Sequence, residues 1–147
     1  MTATTLIRRI AARREIVFDA LVTGEGIASW YGPADTPAIS AASDPRVGGS
    51  FEARFRTDDG REHVCAGEFL EMVRPERVVM SWRWIFGGEP DEQDRVSRLE
   101  FRLRAIDNGT ELTLVHSELY TEASARSHEW GWGGALVKLT RQLGGPT

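Results

Sequence analysis

His63, His116 and His128, together with Tyr120, are the side chains of this 147-residue chain best suited to moving a proton or anchoring a polar ligand atom. An imidazole titrates near neutral pH, so a neutral ring can take a proton from a bound molecule and return it. His128 stands four residues before Trp132, one turn away on a helix, and His116 shares strand parity with Leu112 and Leu114. If both point inward, two imidazoles approach one another at the mouth of an interior cavity. Glu118 and Glu122 lie close in sequence and could orient one of them. The alternative is a set of hydrogen-bonded structural histidines.

The apolar counterpart is a group of aromatic residues too numerous for simple core filling: five tryptophans, six phenylalanines and two tyrosines. Met80, Trp82 and Trp84 share one parity with Val78 and Phe86, which predicts a strand with one wholly apolar face. Phe51 and Phe55 alternate with charged residues, as does Phe101, and Trp30 closes a short helical segment. With Trp132 and Leu136 they are the candidate wall of a ligand cavity, where apolar surface is combined with a few polar anchors. Ordinary core packing is the competing explanation for each. Trp130 falls on the opposite side of its helix from Trp132, so it reads as an exposed or interface aromatic. No spacing of histidine and cysteine suits a metal, and no cofactor motif is present. Cys65 has no adjacent base or cation and reads as a packing residue.

These residues need elements to position them. Thr4–Ala12 reads as a strand and Arg14–Leu21 as a helix with Val17, Phe18 and Leu21 at helical spacing. Gly24 and Gly26 interrupt, and Ile27–Trp30 forms a further turn before Tyr31-Gly32-Pro33 stops it. The period then changes to two. Turn signals at Asp58-Asp59-Gly60, Arg74-Pro75-Glu76 and Asp107-Asn108-Gly109 separate strands around Phe51–Phe55, His63–Met72, Val78–Phe86, Leu99–Leu103 and Glu111–Ser117. Gly48-Gly49 reads as a tight strand entry. The acidic segment Glu89–Asp94, flanked by Gly87-Gly88, is a solvated connection or a lid beside the Trp82 strand.

The chain closes on a helix beginning at Glu122, with Ala125, His128, Trp132, Ala135, Leu136, Leu139 and Leu143 on one stripe. Gly131, Gly133 and Gly134 lie inside it, each costing about 1 kcal/mol relative to alanine. Close packing against a sheet, or space for a ligand, would explain them. About six antiparallel strands with one apolar face, plus a long amphipathic helix, combine most economically as a sheet curled around that helix. The length fits one domain, residues 1–147. A net charge of −4 without a basic block argues against nucleic acid, and the absence of a long apolar run argues against a membrane span. The single cysteine and the lack of a signal-like N-terminus fit a cytoplasmic protein.

Taken in order, several stretches resemble the bacterial proteins related to the activator of Hsp90 ATPase, within the START-like or Bet v 1-like helix-grip superfamily. They include Val17-Phe18-Asp19-Ala20-Leu21, Trp30-Tyr31-Gly32-Pro33 and Asp44-Pro45-Arg46-Val47-Gly48-Gly49-Ser50-Phe51. They continue through Gly67-Glu68-Phe69-Leu70-Glu71, Pro75 to Trp82, Gly109 to Ser117, and His128 with Gly131, Trp132 and Leu136. The resemblance implies an α+β fold: a curved seven-stranded antiparallel sheet around a long C-terminal helix, two short helices after strand 1, and a hydrophobic cavity between sheet and helix. It implies no single reaction.

Three functions follow as expectations. The first is a small-molecule-binding protein holding an apolar or aromatic ligand in that cavity. The second is a cyclase- or hydrolase-type enzyme using His116 or His128 as general acid/base, with Tyr120 a further candidate. The third is a chaperone-interacting module linked to stress response. The chain looks unlike the N-terminal half of the eukaryotic activator, so direct chaperone activation does not follow. A homodimer through an exposed strand or through Trp130 is left open.

Overall fold

A computed structural model of the chain describes residues 2–34, 36 and 38–147. The first strand, β1 (Thr2–Ile10), leads into two short helices, α1 (Arg14–Val22) and α2 (Gly24–Trp30). Six strands follow: β2 (Ala38–Ser43), β3 (Ser50–Arg56), β4 (Glu62–Val73), β5 (Arg77–Phe86), β6 (Ser97–Ile106) and β7 (Gly109–Leu119). The helix α3 (Glu122–Gln142) closes the chain. All neighbours pair antiparallel in the order β1-β7-β6-β5-β4-β3-β2, giving a curved open sheet. The periodicity of the sequence misses β2, whose Ala38-Ile-Ser-Ala-Ala-Ser lacks an apolar alternation; it is the seventh strand that the family resemblance implies.

Local chemistry explains the boundaries. Thr23 caps α2, its hydroxyl accepting from Gly26 N at 3.0 Å. Gly24 and Gly26 therefore begin a helix and do not interrupt one. A Cβ at Gly26 would stand 2.5 Å from the Ala20 carbonyl oxygen, so the α1–α2 corner requires glycine there. Thr121 caps α3 in the same way, accepting from Ser124 N. The β6–β7 hairpin turns through Asp107 and Asn108, the latter at φ 67°.

Six of the seven residues of the predicted stripe are buried on α3, Ala125, His128, Trp132, Ala135, Leu136 and Leu139, while Leu143 lies just past the helix as its C-cap and is partly buried. The stripe packs between the sheet and α2, and its far side is anchored by Lys138, whose ammonium donates to the carbonyls of Tyr31 and Thr36. The core is solid at its centre. Trp30, Phe51, Met80, Phe101 and Leu136 are all 2% exposed or less, each worth about 2 kcal/mol in transfer from water. One end of the inward face departs from the expected pattern. Val78, Met80 and Trp82 are buried and Trp84 is half-buried, but Phe86 is 62% exposed. The β4–β5 register shifts between Cys65, paired with Trp84, and Val64, paired with Phe86, which turns Phe86 to the outer face that Val64 shares with Arg54.

On the outer face of the sheet, Glu100 is almost fully buried under Arg77, Arg98 and Arg102. Burial opposes its ionisation, but the hydrogen bonds and charges of these arginines outweigh that and bring the carboxyl down to about 2.

Candidate functional site

A cavity of about 160 Å³ opens at the end of the grip where β5 emerges from under α3. Its sheet side is formed by Phe55, His63, Trp82 and Trp84. Its helix side is Ser127, His128, Trp130, Gly131, Trp132 and Ala135. Two loops complete it: Tyr31-Gly32-Pro33 after α2, and Gly88-Glu89 after β5. Of the residues that the sequence suggested as cavity wall, Phe55, Trp82, Trp84, His128 and Trp132 line this space. Trp30, Phe51, Met80, Phe101 and Leu136 do not; they fill the core behind it, and His116, wholly buried, does not line it either. Trp130 is 73% exposed as its helical position requires, yet it borders the mouth.

His116 and His128 do come together, with ring centroids 4.6 Å apart. Their hydrogen bonds define what they can do. The Trp132 indole N–H donates to His116 Nδ1 at 3.0 Å, so that nitrogen carries no proton. His116 Nε2–H then donates to Ser97 Oγ at 2.7 Å, and Ser97 in turn donates to the Trp82 carbonyl at 3.3 Å. His128 has the other tautomer. Its Nδ1–H donates to the Ser124 carbonyl at 2.8 Å, and its Nε2 accepts from the Trp84 indole at 3.2 Å. Both rings are neutral. Burial and the neighbouring His128 hold His116 well below the usual histidine range; burial lowers His128, against the opposing pull of Ser124, Glu89 and Glu92.

Each imidazole thus spends its one basic nitrogen on an indole. His116 is wholly buried, so neither ring offers a free lone pair to a substrate in this arrangement. His63 follows the same rule. Gly88 N–H donates to its Nδ1 at 2.8 Å and its Nε2–H reaches Thr57 Oγ1 at 3.0 Å, with burial again lowering it first. The ring stacks on Phe55. Among the described residues, Glu118 and Glu122 orient none of the three. Ser97 positions His116, the Ser124 carbonyl positions His128, and Gly88 with Thr57 positions His63, and nothing in the spacing of these residues marked them.

Tyr120 lies outside the site. The register of β1 with β7 shifts near the end of β7, where Glu118 adopts φ 60°. Strand parity counted from His116 would turn Tyr120 inward, but the irregularity buries Leu119 and leaves Tyr120 half-exposed beneath Arg95.

The segment after β5 is strapped across the mouth. Ser127 donates to Glu89, Thr121 Oγ1 donates to Asp91 at 2.8 Å, and Tyr120 N donates to Glu92 at 2.9 Å. Gly88, at φ 73°, lies so close to Trp84 that a Cβ would overlap the indole.

Among the described residues, two buried polar atoms on side chains that line the cavity have no hydrogen-bond partner: Tyr31 Oη and Trp82 Nε1. Burial holds the Tyr31 phenol protonated, raising it well above its ordinary value. A buried donor left unpaired costs about 1–3 kcal/mol. The remaining buried indoles are satisfied, Trp30 by the Ala20 carbonyl and Trp84 and Trp132 by histidines. Tyr31 was legible in the sequence only as a helix stop. Cys65 is buried against the Ala53 carbonyl and its thiol is pushed up by burial. Among the described residues no group of three His, Cys, Asp or Glu side chains could hold a metal ion, and no helix is long and apolar enough to cross a membrane.

Solved structures share this architecture. A protein from Chromobacterium violaceum is 24% identical with a TM-score of 0.83, covering 96% of each chain. The AHSA1 protein from Silicibacter pomeroyi is 24% identical with a TM-score of 0.83, covering 97% of each. An AHSA1-like protein from Aeromonas hydrophila is 20% identical with a TM-score of 0.71, covering 95% of this chain and 90% of that one. No curated protein is similar at a significant level. The model of the family described as activator of Hsp90 ATPase homolog 1-like protein matches residues 11–144. Family and fold are of a general ligand-binding type. With nearly its whole length matched, the chain belongs to the activator of Hsp90 ATPase homolog 1-like family.

Proposed function

We propose that this protein binds a small apolar or aromatic molecule in the cavity between the emerging end of β5 and the middle of α3. The observation that carries the reading is the composition of that wall: indole, phenol and phenyl rings around an open volume of about 160 Å³. An open recess walled by aromatic rings leaves apolar surface facing water, and an apolar occupant that covers it is favoured.

The size also limits the occupant. Engineered apolar cavities of about 150 Å³ in other proteins take benzene. A ligand with one aromatic ring fits; a sterol or a fatty acyl chain would have to displace the packed core of Trp30, Phe51 and Phe101. The engaged imidazoles argue for binding without turnover.

Thermal unfolding tests the reading. A neutral one-ring aromatic at about 100 times its Kd should stabilise the fold by about 2.7 kcal/mol, seen as a raised Tm, with quenching or enhancement of tryptophan emission over the same range. Fatty acids and sterols should leave Tm unchanged. A panel of one-ring compounds that moves neither signal, up to the limit of solubility, would remove the proposal.

A further inference from the structure

Four indoles line the cavity; Trp130 is exposed at the mouth, and the other three differ in their partners. Trp84 and Trp132 donate to His128 and His116, whereas Trp82 Nε1 and Tyr31 Oη have no partner among the described residues. Both side chains are at most 4% exposed, and their rings lie 5.9 Å apart by centroid. An indole N–H can only donate, and the buried phenol, kept protonated, has a proton to donate as well. Both atoms are closed off from the free space of the cavity, so an occupant reaches them only with a small turn of the two rings. Buried donors normally have partners, and two orphans on residues that line one small cavity make its occupant the natural one.

The charge around the site narrows the class further. Among the described residues no lysine or arginine lines the cavity, and the carboxylate of Glu89 stands at its mouth. An anion would therefore enter without a counter-charge and past a like one.

Building on the ligand-binding reading above, we propose that the ligand is a neutral one-ring aromatic bearing a hydrogen-bond acceptor of the carbonyl type, taken by the Trp82 indole and the Tyr31 hydroxyl. A carbonyl oxygen has two lone pairs and can accept from both donors at once. The ring supplies apolar area to the aromatic wall, and the acceptor supplies orientation.

Acetophenone and α-methylstyrene test this directly, because they share a shape and differ by C=O against C=CH2. Calorimetric titration of each into the full chain, into Tyr31→Phe and into Trp82→Phe gives an acetophenone-to-α-methylstyrene affinity ratio for each protein. Comparing ratios between proteins cancels the different solubilities of the two ligands. The ratio should fall by about fivefold in either variant, the worth of one hydrogen bond. Tyr31→Phe removes one unpaired oxygen and carries the test alone if Trp82→Phe does not fold. A ratio unchanged in both variants overturns the proposal while leaving ligand binding intact. Benzoate binding as tightly as acetophenone overturns the neutral class. Phenyltrimethylammonium binding tightest does the same, pointing to a cation held by aromatic faces and Glu89. If neither acetophenone nor α-methylstyrene binds, the ligand-binding reading itself fails, and this inference with it.

Discussion

At the scale of single residues, the site is organised by indole-to-imidazole hydrogen bonds, and their loss should be visible as stability. His128→Ala leaves the Trp84 N–H without its acceptor and opens space beside Ser124, so we expect a loss of about 2 kcal/mol in denaturant unfolding. A histidine serving only catalysis would leave stability unchanged. The same bonds fix the response to pH. All three histidines are held below their ordinary range, so the unfolded chain binds more protons than the folded one once pH falls below about 6.5. Stability is therefore complete above about pH 6.5 and erodes below it, with His116 contributing a slope of up to about 1.4 kcal/mol per pH unit. Glu100, at about 2 in the fold, adds a second loss only below about pH 4.5. Urea unfolding between pH 8 and 4 checks the first window. A curve flat down to pH 5 would mean that these rings are not held neutral.

Much of this was readable beforehand, and the limits have physical causes. The convergence of His116 and His128 followed from strand parity and helical spacing, both of which are set by backbone geometry. Which nitrogen carries the proton did not follow, because it depends on Ser97, Ser124 and two indoles brought in from other elements. Tyr120, a candidate for its chemistry alone, lies outside the site because the chain turns at Glu118, a positive-φ residue that no sequence spacing marks.

The element whose sequence most needed explaining is α3, with three glycines where alanine would hold the helix better. Their surroundings differ. A Cβ at Gly134 would stand 2.4 Å from Ala34 N, so this glycine admits the loop after α2 against the helix. At Gly131 a Cβ would meet nothing within 4 Å, and the residue faces the cavity. Close packing and open space, offered by the sequence as alternatives, thus apply to different glycines, and the close neighbour is a loop and not the sheet. Gly131→Ala should raise stability by up to about 1 kcal/mol while weakening ligand binding at the cavity edge. Gly134→Ala should destabilise despite its better helix propensity, since a backbone atom must move. Paired thermal unfolding of the two variants checks this; equal shifts of the same sign would contradict the assignment.

For the whole molecule, the sheet order and the gripped helix emerged from period-two segments, turn signals and one amphipathic stripe, while β2 emerged only through the family resemblance. A cavity between sheet and helix was the expectation, with no scale or position attached. The centre is solid, and the open volume lies at one end under the strap formed by Gly88 and Glu89. Such a site should be selective by size. Adding a second fused ring to a one-ring ligand should cost at least tenfold in affinity, measured by calorimetry, because the core behind Trp82 and Trp132 cannot yield without disturbing close-packed rings. Equal affinities for one and two rings would show a cavity that expands.

The most direct test of the account is the indole N–H region of a ¹H–¹⁵N spectrum, where five tryptophans give five signals separable by single substitutions. On titration with acetophenone, the signals of Trp82, Trp84 and Trp132 should shift saturably with one common Kd, while Trp30, bonded to the Ala20 carbonyl in the core, stays fixed. No movement of these three signals up to the solubility limit, or movement of Trp130 alone, would contradict a ligand in this cavity.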